Sequence, residues 1–162
     1  MSKKLILLDA YALIYRAHFA FIKNPRINSK GLNTSAIFGF CNSLLEVTNK
    51  FDPSHIGVVF DPPGGSDREG VFADYKANRQ EMPEDIRKAI PYIFDLLKAM
   101  NIKVEMEEGF EADDVIGTLA KQAEKKGFET YMMTPDKDFG QLVSDHIFIY
   151  KPGRSGNPSE IL

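Results

Sequence analysis

An α/β domain is what this chain predicts: a mostly parallel central sheet with helices on both faces and an acidic crevice at the carboxyl ends of its strands. Three observations carry that expectation. Short branched runs such as Leu5-Ile6-Leu7-Leu8 and Val58-Val59-Phe60 have the composition of strands buried on both faces, as parallel strands are. Longer stretches with helical apolar spacing separate them. The runs also end in carboxylates: Asp9, Asp61 and, after Tyr131-Met132-Met133, the segment Thr134-Pro135-Asp136-Lys137-Asp138. Ligands of such sheets collect beyond the carboxyl ends of the strands, so separate stretches of sequence would deliver acids to one crevice.

Taken in order, the first strand ends at Asp9 and a helix follows from Ala10 to Phe21. Asn24-Pro25-Arg26-Ile27-Asn28-Ser29-Lys30-Gly31 is a loop, its Pro, Asn and Gly being turn residues. Asn33 or Thr34 can cap a second helix with Ile37, Phe38, Cys41, Leu44 and Leu45 as its apolar face. His55 to Phe60 is the second strand. The polar stretch from Pro62 to Glu81 lacks an apolar face, and a connection of that length usually has a task of its own. Pro83 occupies the first position of a helix carrying Ile86, Ile90, Ile93, Phe94 and Leu97 on one side. Ile102 to Met106 alternates and is expected at an edge. A helix starting near Asp113 carries Val115, Ile116, Leu119 and Ala123 and stops at Lys125-Lys126-Gly127. Glu129 to Met133 is the fourth strand, with Met132 and Met133 in its core. A helical turn spans Phe139 to Val143, Ile147 to Tyr150 closes the sheet, and Ser159-Glu160-Ile161-Leu162 reads as a new helix cut short. Residues 1–162 are expected to form a single core belonging to something longer.

Composition narrows the function classes. With 162 residues, 43% of them hydrophobic, the chain can bury roughly two thirds of its unfolded surface. Its single cysteine, Cys41, excludes an internal disulfide framework and fits a reducing cytoplasm. No segment is long and apolar enough for a signal or a membrane span. The net charge of −3 hides its distribution: without Asp9, Asp61, Glu111, Asp113, Asp114, Asp136 and Asp138, sixteen acids face twenty bases. If cations neutralise those seven acids, the remainder is mildly basic, so net charge does not exclude a nucleic-acid partner.

The acids themselves admit competing readings. Glu111 and Asp114 share a helix face, and in a first turn Asp113 can bend toward the same point, ahead of the axis. Acids there also answer the helix dipole. Asp136 and Asp138, or Asp61 before Pro62-Pro63-Gly64-Gly65, can simply make turns. Asp9 is different, because an unpaired charge in an apolar segment is costly. Carboxylates a few ångströms apart repel by about 4 kcal/mol per pair at the effective dielectric of a protein surface. Oxygen ligands without softer partners suit a pair of magnesium or manganese ions. His18, His55 and His146, apart in sequence and in apolar surroundings, read as structural.

Several folds put acids at strand ends. A haloacid-dehalogenase-like phosphatase needs a second Asp where Tyr11 stands, a receiver domain needs an acidic pair at the first strand, and a topoisomerase-primase module wants a leading Glu. Leu8-Asp9-Ala10 with Tyr15-Arg16, Val59-Phe60-Asp61, Tyr75-Lys76-Ala77-Asn78-Arg79, Glu111-Ala112-Asp113-Asp114 and Thr134-Pro135-Asp136-Lys137-Asp138 with Gln141-Leu142 fit none of these. In that order they resemble the motifs of the 5′ nuclease family, in particular the 5′→3′ exonuclease (flap endonuclease, PIN-like) domain of bacterial DNA polymerase I. The resemblance covers essentially the whole chain. It departs after Gly64-Gly65-Ser66, where Asp67-Arg68-Glu69 stands in place of the family's Phe-Arg-His. Further metal-binding Asp residues and the helix-3-turn-helix that grips duplex DNA have no match and would lie beyond Leu162.

The resemblance implies a divalent-metal-dependent exonuclease and 5′-flap endonuclease serving DNA replication and repair in the cytoplasm, as part of DNA polymerase I. Its substrate would be DNA with a 5′ flap or 5′ end, or an RNA/DNA hybrid; no membrane or protein partner follows. Asp61, Glu111, Asp113 and Asp114, with Asp9 close by, would hold one Mg2+ or Mn2+ that activates water. Asp136 and Asp138 would hold a second, weakened by the missing ligands. Lys76 and Arg79 would contact the scissile phosphate as catalytic groups, although a solvated basic face explains them as well. Tyr75 would stack on an unpaired base, and Arg16 and Arg68 would contact the strand. Two other readings stay open: a metal-holding nucleic-acid-binding module with little turnover, and a PIN-like ribonuclease.

Overall fold

The structure, a computed structural model, describes residues 3–62, 82–134, 137–151 and 160–161, with backbone alone for 137–139 and 160. Chain order is β1 (Lys3–Asp9), α1 (Ala10–Ala20), α2 (Ser35–Phe51), β2 (His55–Val59), α3 (Glu84–Ala99), β3 (Lys103–Glu105), α4 (Ala112–Lys125), β4 (Phe128–Met133), a 3-10 turn (Lys137–Leu142), β5 (Ile147–Lys151) and β6 (Glu160–Ile161). The six strands lie in the order β3-β2-β1-β4-β5-β6. All neighbouring pairs are parallel except β5 and β6.

Strand alternation sorts the sheet residues onto two faces, and both are covered. Ile6, Leu8, Val58, Phe60, Met133 and Tyr150 pack with α1, α2 and α3 on one face. Leu7, Val59, Met132, Ile147 and Ile149 pack with Ala112, Val115, Ile116 and Ala120 of α4 on the other. Burial on both faces is why these strands are continuous apolar runs, each fully buried aliphatic side chain contributing about 1.5–3 kcal/mol.

Topology decides where a ligand can sit. From β1 the chain winds outward to β2 and the edge strand β3; α4 then carries it back to β4, on the far side of β1, and it winds outward the other way to β5. The direction of winding reverses between β1 and β4. In open α/β sheets ligands bind beyond the carboxyl ends of the strands at such a reversal.

Several expectations change. The buried stripe of α2 is Ala36, Phe40, Leu44, Val47 and Phe51, whereas Phe38 and Leu45 are 38% and 44% exposed. α2 is apolar on more than one side, so spacing admits either stripe, and packing against both the sheet and α1 selects this one. Phe38 instead lies under the Arg26 guanidinium, 4.3 Å from its ring centroid. Pro83 is the N-cap of α3, with Glu84 as the first helical residue. Of the expected final helix, the described residues Glu160 and Ile161 form a strand instead: they pair antiparallel with Lys151 and Tyr150, so β5 does not close the sheet. Of the histidines only His18 is buried. His55 and His146 are exposed, His55 with its Nδ1 3.0 Å from the Ser54 hydroxyl.

Candidate metal centre

The acids reach the crevice from three places in the chain: at the end of β1, after β2 and at the start of α4. Asp9 is the last residue of β1 and the N-cap of α1. Asp61 follows β2, whose ladder is prolonged by the Phe60 N–H donating to the Glu105 carbonyl at 3.0 Å. Beyond β3, Glu111 is the N-cap of α4, with Asp113 and Asp114 in its first turn. Aromatic packing stiffens this end of the sheet. Fully buried Phe60 stacks on Phe94 at 4.5 Å and meets Tyr11 edge-on at 5.5 Å, which locks the residue before Asp61 against the first turn after Asp9.

One ligand oxygen each from Glu111, Asp113 and Asp114 lies within 4.8 Å of the others. Asp113 is exposed, Glu111 and Asp114 half-buried. Capping does not account for all three. The Asp113 carboxylate accepts the Asp114 N–H at 2.9 Å, but Glu111 makes no side-chain capping bond. The first amide of α4, that of Ala112, donates instead to Asp61 Oδ1 at 2.8 Å, within the protein interior.

Asp9 joins the group electrostatically. Burial of its carboxyl, then the negative charge of Asp61, raises its pKa from 3.8 to about 7, with Asp113 adding a smaller push upward. The Thr134 hydroxyl, which donates to Asp9 Oδ2 at 3.3 Å, and the Ala12 amide pull it partly back. Acids from the ends of β1 and β2 and from the start of α4 therefore sense one another across a single site. Such a set fits a hard divalent cation on two counts: every donor is a carboxylate oxygen, and Asp9 takes up a proton near neutrality when no cation offsets its neighbours. Beside Asp114 an open recess of about 350 Å³ runs between α4 and β3, lined by Glu105, Glu107, Phe110, Val115 and Leu119.

The structure thus brings together Asp9, Asp61, Glu111, Asp113 and Asp114 of the expected ligands. Arg68, Tyr75, Lys76, Arg79 and Asp136 lie outside the described residues, as does the side chain of Asp138, whose backbone is in the 3-10 turn. Arg16 lies along α1, where it borders a recess between α1 and α2 with Asn42, Ser43 and Glu46. Two contributions escaped the sequence: the Thr134 hydroxyl on Asp9 and the Asp61 cap on α4. Position at the end of β4, next to Asp9 in the sheet, is the signal that points to Thr134.

Residues 4–161 match the family described as the 5′-3′ exonuclease, N-terminal resolvase-like domain. The chain is 43% identical over 143 residues to DNA polymerase I of Chloroflexus aurantiacus, covering 88% of this chain and 15% of that protein. It is 40% identical over 150 residues to the 5′-3′ exonuclease of Aquifex aeolicus, covering 93% and 51%. The chain therefore spans about half or less of the length of these relatives. Among solved structures, T5 5′-exonuclease with zinc bound superposes with a TM-score of 0.72 at 16% identity, over 98% of this chain and 58% of that one. The catalytic core of Rad2 in complex with DNA substrate gives 0.59 at 23% identity, over 99% and 47%. At these identities the likeness is one of fold, a mostly parallel sheet flanked by helices, as in this chain. The match over nearly all of its length places the chain in the 5′-3′ exonuclease N-terminal, resolvase-like domain family.

Proposed function

We propose that this chain is the metal-holding core of a 5′ nuclease that hydrolyses phosphodiesters in DNA, at a 5′ end or a 5′ flap, in cytoplasmic replication and repair. The observation that carries the reading is the convergence of Asp9, Asp61, Glu111, Asp113 and Asp114 beyond the carboxyl ends of β1 and β2. Family membership supports it, as do relatives named DNA polymerase I and 5′-3′ exonuclease.

Glu111, Asp113 and Asp114 would hold one Mg2+ or Mn2+, with Asp9 and Asp61 adding negative charge at its rear. When bound, such an ion activates water and offsets charge on the phosphoryl oxygens. The chain's own residues do the remaining work. The first turn of α4 fixes three carboxylates in one small volume, Thr134 orients Asp9, and the Phe60 packing keeps the strand ends from moving apart. Asp136 and Asp138 are proposed as ligands of a second, weaker ion, and Lys76 and Arg79 as the cations that meet the scissile phosphate. Arg16, Arg68 and Tyr75 are proposed to contact the strand itself, through its phosphates and an unpaired base.

Cleavage of labelled 5′-flap DNA in magnesium tests the function. Release of flap-length products by the parent, lost in Asp113→Asn, is the expected result. Intact DNA at saturating metal, with binding retained, favours a binding module instead.

A further inference from the structure

We infer that the end of the sheet opposite the acids carries a docking site for a peptide segment with a bulky apolar anchor and acidic neighbours. The site is a pocket between α4 and the amino-terminal halves of β1 and β2.

The pocket follows from uneven cover of the sheet. Among the described residues α4 is the one α-helix on its face, and it lies mainly over β4 and β1. The start of β2 is left beside it. On that face β2 presents Gly57, level with Leu7 of β1 and Lys103 of β3. A Cβ at Gly57 would stand 3.2 Å from Leu7 Cδ2, so the missing side chain sets the floor of the cavity against Leu7. Leu5, Leu119, Ala123 and Phe128 complete an apolar lining around about 230 Å³. Leu5, Leu119 and Phe128 are only half-buried, which leaves apolar surface for a partner to cover.

The mouth of this pocket is positive. Lys3, His55 and Lys103, the first residues of β1, β2 and β3, lie there with Lys126, the C-cap of α4. Lys3 Nζ is 5.4 Å from the centroid of the Phe128 ring. The carboxylate of the lining is that of Glu105, whose Oε1 is 3.1 Å from Lys103 Nζ, so three lysines face one acid.

Size and chemistry select the occupant. The volume falls short of the roughly 300–1,000 Å³ of pockets that enclose a small molecule, and suits the anchor side chains of a peptide. A nucleic acid would need stacking surface, whereas this lining is mainly aliphatic and the Phe128 ring is already engaged by Lys3 and His55. Exposed lysines steer and select an acidic partner, and burial of its anchor on the leucines supplies affinity. The recess beside Asp114 shares Glu105, Leu119 and Gln122 with this pocket. Its own acids, Glu107 and Asp114, repel an acidic segment, so the peptide's charges belong at the lysine end. That end is remote from the metal centre, because the 14 residues of α4 hold the two about 21 Å apart.

A random peptide library displayed on phage is selected on the full chain, with the double variant Lys103→Glu, Lys126→Glu as counter-selection, and the winning peptide is titrated by methyl NMR. The expected result is a consensus of bulky apolar residues beside Asp or Glu, with shifts at the Leu5, Leu7 and Leu119 methyls. Affinity is expected to fall more than about tenfold in the double variant and in Gly57→Val, which fills the floor. If Gly57→Val does not fold, Leu119→Gln takes its place with the same threshold. No enrichment, a basic consensus, or parent-like affinity in the double variant overturns the proposal. So does 5′-flap DNA that shifts the same methyls, which makes the face a nucleic-acid surface, or a parent dimer that the double variant dissolves, which makes it a contact between copies.

Discussion

Thr134 Oγ1 donates a hydrogen bond to Asp9 Oδ2 at 3.3 Å, joining the ends of β1 and β4 across 125 residues of sequence. The donor is 1% exposed, and the acceptor is an acid whose pKa burial and the charge of Asp61 raise to about 7. Thr134→Val keeps the shape and removes the donor. A hydrogen bond to a charged group contributes about 1.5–3 kcal/mol, and at this length the lower end applies. Mn2+ affinity at pH 7, measured by calorimetry, is expected to fall about tenfold in Thr134→Val and to recover in Thr134→Ser.

Asp9 gives the metal-free protein a pH dependence of definite sign. Its pKa in the folded chain is raised from 3.8 to about 7, so folding favours the protonated carboxyl. The stability this contributes is whole below about pH 4 and is lost as pH rises through 7. Urea denaturation in a chelator should show the parent less stable at pH 8 than at pH 5 by a few kcal/mol at most. Added Mn2+ should remove the deficit, and Asp9→Asn should lack it. A chelated parent equally stable at both pH values, or one indistinguishable from Asp9→Asn, contradicts this.

The crossing of α1 and α2 depends on a missing side chain. A Cβ built on Gly39 would stand 2.4 Å from the Ala17 Cβ, closer than two carbons approach without contact strain. Gly39→Ala gains up to about 1 kcal/mol in helix propensity, yet overpacking at a helix crossing costs about 1–3 kcal/mol. Net destabilisation is expected in a urea melt, with recovery in the double variant Ala17→Gly, Gly39→Ala. A more stable single variant shows that the helices can separate freely.

Much of this was legible in the sequence because period and punctuation agreed. Leu5 to Leu8 and Val58 to Phe60 are apolar without alternation, as doubly covered strands must be, and each is followed by the acid that marks its carboxyl end. Gly127, at φ +84, ends α4 where lysines and glycine said it would. α2 was harder, because a helix with apolar residues on several sides does not announce which stripe its neighbours will cover. Glu160 and Ile161 were harder still: two residues carry no period, and only pairing with β5 defines them. At the site, Asp9 and Asp61 could be named from their positions after apolar runs, and Glu111, Asp113 and Asp114 from the start of a helical pattern. The bonds that orient them, Asp61 to Ala112 and Thr134 to Asp9, are tertiary and leave no spacing to read.

The most direct test is anomalous diffraction from a crystal of this chain soaked in manganese. The arrangement of carboxylates calls for a peak at the start of α4, within ligand distance of oxygens from Glu111, Asp113 and Asp114 and beside Asp9 and Asp61. A saturating soak that leaves this crevice without a peak, while manganese orders elsewhere on the protein, contradicts the account.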